Sequence, residues 1–300
     1  MNPALKHLAE RALVRSGVER FARRTRRGRT LVLAYHNVVP NGEAVSGDKD
    51  LHLPQKEFSL QLDALAETHD VIPIDSIGHA SPLSARPRVV ITFDDAYMGA
   101  LSVGVEELAK RGMPATIFVA PGLIDSVSWW DTLAERTHGA ISGELRKHVL
   151  ETLGGSADSV LRWARSKSLV TSSRPDLPRI GTISQLALAA SQRGITIGSH
   201  SWSHPNLCAL GQADLEAELS RTNQWLQSRF SSVVPWLSYP YGLYNESVKE
   251  AIAKAGYLGA FRIDGGWLQP SLSLPSYTLP RLSISSGLSL NGFRLRLAGM

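Results

Sequence analysis

Val89-Val90-Ile91-Thr92-Phe93-Asp94-Asp95 is an unbroken apolar run that ends on two adjacent carboxylates. Residues apolar at every position, rich in β-branched and aromatic types, make a strand covered on both faces, as the strands of a parallel sheet are. About a hundred residues later a second run, Ile195-Thr196-Ile197-Gly198, closes on Ser199-His200-Ser201-Trp202-Ser203-His204. Two strands thus deliver an acid pair and a histidine pair. Carboxylate and imidazole suit a divalent ion such as zinc, and two His with one Asp leave a coordination position for water. That combination points to metal-assisted hydrolysis.

Working outward, short β-rich runs near 30–35, 70–74, 115–119, 235–239, 258–262 and 278–284 join these two strands, with helical patterns near 55–68, 99–111, 183–193, 212–230 and 245–255. Repeated βα units predict an α/β fold, an incomplete or distorted (β/α)7-8 barrel of mostly parallel strands. The rhythm lapses between 121 and 182, where helical text around Trp129-Trp130-Asp131 and over 142–168, then a loop at Thr171-Ser172-Ser173-Arg174-Pro175, reads as an inserted helical segment. The insertion either walls one side of the site or is purely structural. The expected division is an N-terminal arm over 1–29, a catalytic unit over 30–285 and a C-terminal tail over 286–300.

Composition sets limits. Three hundred residues with 43% hydrophobic content can bury a sizeable core, and one cysteine, Cys208, excludes an internal disulfide and a cysteine-only metal site. Of the net charge of +5, residues 1–30 carry +7, nine Lys and Arg against Glu10 and Glu19; the remainder carries −2. The basicity belongs to the arm, which argues against a nucleic-acid enzyme. The arm lacks the apolar centre of a signal peptide, and no run reaches the eighteen or so apolar residues of a membrane span, so a cytoplasmic protein is expected. Leu5, Leu8, Ala9, Ala12 and Leu13 recur at helical spacing over residues 4–24. This basic helix either lies peripherally on the inner face of the membrane or packs on the body with its basic face solvated.

Successive strand side chains point to opposite faces, so Asp94 and Asp95 reach one centre only if the backbone turns there; otherwise one of them caps the helix near 99–111. A spacing of four places His200 and His204 on one face of a helical turn, which Pro205 would end after about one turn. Both segments follow strand ends, where α/β barrels bind their ligands.

Thr92-Phe93-Asp94-Asp95, His200-Ser201-Trp202-Ser203-His204 and Ser238-Tyr239-Pro240-Tyr241-Gly242 resemble, in order and approximate spacing, three motifs of polysaccharide deacetylases with the NodB homology domain, carbohydrate esterase family 4. The resemblance covers about residues 30–285. It implies that Asp95, His200 and His204 bind a divalent metal, zinc first and Co2+, Ni2+ or Mn2+ as alternatives, that Asp94 is the general base, and that the Tyr241 backbone N–H helps hold the oxyanion. Two departures stand out. Ser238 occupies the place where most members have arginine, and no histidine follows His204 to supply the usual acid.

Tyr35-His36-Asn37-Val38 resembles the Tyr-His element of the branch that de-N-acetylates poly-N-acetylglucosamine, which makes His36 the expected acid. Arg281, in Leu279-Pro280-Arg281-Leu282, is similar to that branch's late Pro-Arg element and would orient Asp94 in place of the missing arginine, a structural ion pair being the competing view. Trp202, Tyr241 and Trp267 are either flat faces for a sugar or packing, and Asp264 is a candidate partner for a ligating histidine. The expected activity is removal of N-acetyl groups from amino sugars of an acetylated glycan or lipid-linked precursor in exopolysaccharide biosynthesis. O-acetyl ester or other linear-amide hydrolysis, and an inactive glycan-binding relative, are the alternatives.

Overall fold

The computed structural model describes residues 3–79, 86–137, 139–170, 177–270 and 272–300. The loop expected at 171–175 lies outside the described residues. The chain begins with α1 (Pro3–Arg15) and α2 (Val18–Arg24), followed by β1 (Thr30–Tyr35), β2 (Asn37–Val39), β3 (His52–Pro54), α3 (Gln55–Thr68), β4 (Asp70–Val71) and β5 (Arg88–Phe93). A π turn (Ala100–Gly104) leads into α4 (Val105–Lys110) and β6 (Ala115–Val119). The expected insertion holds α5 (Trp129–Ala134), α6 (Gly143–Glu151) and α7 (Ala157–Ser166). Then come α8 (Ile183–Ala190), β7 (Ile195–Ser199), α9 (Gln212–Gln227), β8 (Val233–Ser238), α10 (Glu246–Lys254), β9 (Gly259–Phe261), β10 (Trp267–Leu268), β11 (Ser276–Leu279), β12 (Leu282–Ser283) and α11 (Leu290–Leu297).

The main sheet runs β10-β1-β5-β6-β7-β8-β9-β11, parallel except for β10. Its two edges meet through one stretch of chain. β11 pairs with β9, and two residues later β12 pairs with β1, so the segment 276–283 bridges both edges and nearly closes a distorted α/β barrel. Pro280, which has no N–H to give, and Arg281 sit at that seam, which is why the expected strand over 278–284 is split.

Strand alternation sorts the core. Val32, Val90, Phe118, Trp236, Phe261 and Leu279 fill the barrel, while Leu31, Leu33, Val89, Ile91, Phe93, Ile117 and Ile197 pack outward against helices. A Cβ at Gly198 would lie 2.5 Å from the Phe118 ring, so this bare position on β7 makes room for the largest apolar side chain of the neighbouring strand.

Several boundaries differ from expectation. The single helix expected over 4–24 breaks at Gly17, whose φ of 78° is left-handed. The strand expected over 70–74 stops at Val71, ahead of Pro73. The expected tail contains α11, which packs on α1 and α3 and is capped by Ser289, whose hydroxyl accepts from Gly292 N.

Candidate metal centre and active site

The chemistry-bearing segments lie beyond the C-terminal ends of β1, β5, β7 and β8 and at the seam between β11 and β12. After Phe93 the chain leaves the strand through Asp95 (φ 68°) and Ala96 (φ 57°), both left-handed. That turn directs consecutive carboxylates to one centre; the helix that follows shows no side-chain cap, so neither aspartate is spent as an N-cap. Ser201, His204 and Tyr241 also have positive φ. Each such non-glycine residue costs about 1–3 kcal/mol, and among the described residues five of the seven that exist surround this one cleft, a concentration expected where function holds the backbone in place.

The helical turn expected for His200 and His204 is not formed. Residues 200–206 are an irregular loop, because Ser201 (φ 61°) and His204 (φ 56°) take left-handed backbone conformations that no right-handed turn can contain, and the loop is held in place by Glu218 of α9. Its Oε2 accepts from Trp202 N at 2.8 Å and Ser203 N at 2.9 Å, and its Oε1 accepts from the Ser203 hydroxyl at 2.6 Å. The loop still brings the two rings together, with Nε2 atoms 3.0 Å apart. Asp95 Oδ1 lies 3.5 Å from His200 Nε2 and 3.4 Å from His204 Nε2.

Asp95, His200 and His204 are all buried, and their candidate donor atoms fall within 4.8 Å of one another. A tetrahedral zinc with ligand bonds of about 2.0–2.1 Å holds its ligand atoms about 3.3–3.4 Å apart, so the set fits a divalent cation. Asp95 Oδ1 is buried without a hydrogen-bond partner, as an atom reserved for an ion would be. Burial, with the charges of Asp94 and Asp131 adding to it, raises the Asp95 pKa well above the ordinary value. Burial lowers that of both imidazoles, which leaves them neutral and able to donate lone pairs. His200 Nδ1–H donates to the Ser238 carbonyl at 2.8 Å, which turns its Nε2 to the cluster. Asp264 takes no part: half-exposed, it pairs with Arg262.

Asp94 stands beside the three, with Oδ2 4.0 Å from His200 Nε2. Arg281, 0% exposed, donates to both its oxygens at 2.7 Å, to the Ser238 hydroxyl at 2.7 Å and to Thr92 Oγ1 at 3.1 Å. Burial alone would raise the Asp94 pKa, but the guanidinium overrides it and holds the carboxylate far below its usual range. Serine at 238 is small enough for this arginine, which comes from the seam instead of from β8. His36, half-buried just past β1, makes no side-chain hydrogen bond among the described residues. Burial presses its pKa down to about 4, Asp94 pulling it up and Arg281, His200 and His52 pushing it down.

Tyr241 sits in the turn Pro240–Gly242 with its ring 4.6 Å from that of His204. Its hydroxyl lies 3.0 Å from the His204 carbonyl and accepts from Trp129 Nε1 at 3.0 Å. The insertion does wall the cleft: Trp130 of α5 lies 4.9 Å from the His204 ring. Next to it the buried Asp131 accepts from Tyr97 Oη at 2.6 Å, Ser128 Oγ at 2.7 Å and Asp48 N at 2.9 Å and meets His52 Nε2 at 2.7 Å. Trp202 stacks under Arg221 at 3.7 Å, whereas Trp267 lies in β10, beside the start of β1 and far from the strand ends that carry the site. Nothing in the sequence marks Glu218 or Asp131 as site residues, since neither stands at a telling distance from the motifs.

A family model described as polysaccharide deacetylase matches residues 84–260. The Bacillus subtilis (strain 168) polysaccharide deacetylase candidate YxkH is 24% identical over 273 residues, spanning 90% of this chain and 76% of that protein. Among solved structures, IcaB from Ammonifex degensii superimposes with a TM-score of 0.63 at 16% identity, covering 91% of this chain and 97% of that one. The Streptococcus pyogenes deacetylase PplD in complex with acetate gives 0.60 at 19% identity, over 88% and 96%. These structural likenesses carry the fold, and the family match extends over β5 to β9, including the acid pair and the histidine pair. The chain belongs to the polysaccharide deacetylase family, hydrolases of the amide bonds of N-acetylated sugars.

Proposed function

We propose that the chain is a divalent-metal-dependent deacetylase that removes N-acetyl groups from amino sugars of a polysaccharide or a glycan precursor. The observation that carries this reading is the convergence of Asp95 Oδ1, His200 Nε2 and His204 Nε2 at 3.0–3.5 Å with Asp94 alongside. Asp95, His200 and His204 would hold the cation. When bound, a zinc-type ion supplies a Lewis acid for the acetyl carbonyl and eases the ionisation of water.

The remaining steps fall to the chain's own groups. Asp94, kept ionised by Arg281, takes a proton from the attacking water, and the bidentate clamp keeps its carboxylate aimed while it does so. The Tyr241 backbone N–H would help hold the developing oxyanion. His36 rests neutral, burial holding its pKa near 4, so it must take up a proton during the reaction before it gives one to the departing amine. Trp130 and Tyr241 enclose the His204 side of the cleft and exclude bulk water.

The test is acetate release from N-acetylglucosamine oligomers by protein stripped with chelator and then reloaded with Zn2+, Co2+, Ni2+ or Mn2+. Loss on stripping, recovery on reloading and loss in Asp94→Asn are expected. Turnover that survives both stripping and His200→Ala would refute it.

A further inference from the structure

We propose that the outward face of α1 and α2 docks on an anionic lipid bilayer. α1 is amphipathic, but it is mounted the wrong way round for a helix that serves only to cover the body. Its inward side presents Glu10, 7% exposed, to the cap of α11: the carboxylate accepts from the Ser289 hydroxyl at 2.5 Å, and Val14, one turn on, is half-buried. The apolar stripe points away from the body. Leu5 and Leu8 are each 60% exposed, and Ala9, Ala12 and Leu13 are exposed with them. The stripe continues over the Gly17 break into α2, where Val18 and the 71% exposed Phe21 face water. Five of the eleven large hydrophobic side chains exposed among the described residues lie within residues 5–21; the other six are spread over residues 60–300. A patch of this kind marks an interaction surface.

Charge chooses the partner. Arg11, Arg15, Arg20, Arg24 and Arg27 flank the stripe, exposed and without an acidic partner among the described residues, while Arg23 is taken up by Glu19. Arg20, Arg23, Arg24 and Arg27 also line a cavity of about 160 Å³ with Arg86, Thr68 and Glu67, five arginines against one carboxylate, a size and a net charge suited to phosphate groups. An apolar stripe edged with arginine is the arrangement of helices lying in the interfacial plane of a membrane, with aliphatic and aromatic side chains at the acyl boundary and guanidinium groups among the headgroups. Among the described residues no helix is long and apolar enough to cross a membrane, so the contact is peripheral.

The experiment is co-sedimentation of the full chain with vesicles of phosphatidylcholine alone and of phosphatidylcholine mixed with phosphatidylglycerol. Binding to the mixed vesicles only is expected, weakening as the Debye length falls from about 10 Å at 0.1 M salt to about 3 Å at 1 M. A Leu5→Glu/Leu8→Glu/Phe21→Glu variant should lose at least about tenfold in partitioning while releasing acetate from a soluble oligomer at the parent rate. An Arg20→Gln/Arg24→Gln/Arg27→Gln variant should lose about fivefold per arginine. Equal binding to neutral vesicles, no binding to anionic ones, or undiminished binding by the triple glutamate variant overturns the proposal. A dimer in sedimentation velocity that the glutamate variant dissolves would assign the face to a second copy of this chain, and overturns it too.

Discussion

Arg281→Met would remove a guanidinium whose Cζ lies 5.5 Å from the Phe118 ring centre and 5.9 Å from that of Phe261 and that makes five hydrogen bonds: two to Asp94 and one each to Ser238, Thr92 and the Arg262 carbonyl. Asp94 would be left buried with the Ser238 hydroxyl, at 3.2 Å, as its remaining side-chain donor. Breaking a buried pair by removing one partner costs about 3–5 kcal/mol, because the surviving charge stays desolvated. Against a typical total of about 5–15 kcal/mol, that is about a fifth of the stability of the domain at the least and the whole of it at the most. Asp94→Asn in the same background removes the stranded charge, so the double variant should be about 2 kcal/mol more stable than the sum of the singles implies.

Urea denaturation of the parent, the two single variants and the double variant measures the coupling. Activity adds a second readout. Arg281→Lys retains the charge but not the planar fork, so kcat should fall with KM little changed. Since the clamp holds the Asp94 pKa low, loosening it lets that pKa rise, and the acid limb of kcat/KM should move to higher pH. Energies additive within about 0.5 kcal/mol would refute the ion-pair account. An unchanged kcat and acid limb in Arg281→Lys would leave the arginine with a structural part alone.

Three further outcomes are expected. His36→Gln should lower kcat on an N-acetylated oligomer by about 10²–10⁴-fold while leaving the urea midpoint almost unmoved; an aryl acetate, whose leaving group needs no proton, should be affected far less, and equal losses on both substrates would remove His36 from the acid role. Glu218→Gln weakens the clamp on the Trp202–Ser203 backbone and should reduce metal affinity about 10–100-fold in a competition titration against a chelator; an unchanged affinity would show that the loop holds its shape unaided. His69, buried and stacked on Trp267, has its pKa lowered from 6.5 to about 4, chiefly by desolvation. The unfolded chain therefore binds the proton first, and this contribution, complete above pH 6.5, is lost as pH falls towards 4, up to about 3 kcal/mol. His69→Phe should flatten the urea midpoint over that window, and an identical pH slope in parent and variant would contradict the assignment.

The register of the fold was written in periodicity. Runs that are apolar on both faces, such as Leu31-Val32-Leu33-Ala34, Val89-Val90-Ile91 and Ile117-Phe118-Val119, read as strands covered on both sides, and Asp94-Asp95, His36 and His200 follow strand ends because apolar text stops there. Local sequence therefore named the candidate site residues. It also carries the Gly17 break and the Pro280 interruption, although the periodicity on either side runs on as one helix and one strand.

Distances and orientations belonged to the folded chain. The spacing of four between His200 and His204 suggests a helical turn, yet Ser201 and His204 are left-handed in the folded chain, and Glu218, delivered by α9, ties down the loop that results through the backbone N–H groups of Trp202 and Ser203. A carboxylate that far along the chain leaves no periodic trace near the motif it shapes. The replacement of the absent β8 arginine by Arg281 likewise requires the barrel to close, since only the meeting of β11 with β9 and of β12 with β1 puts a guanidinium from residue 281 against the carboxylate of residue 94. The direction in which α1 turns its leucines was settled by the docking of Glu10 on the cap of α11, a contact across almost the whole length of the polypeptide. Hydrophobic period reports which residues share a face, and long-range packing decides what that face looks at.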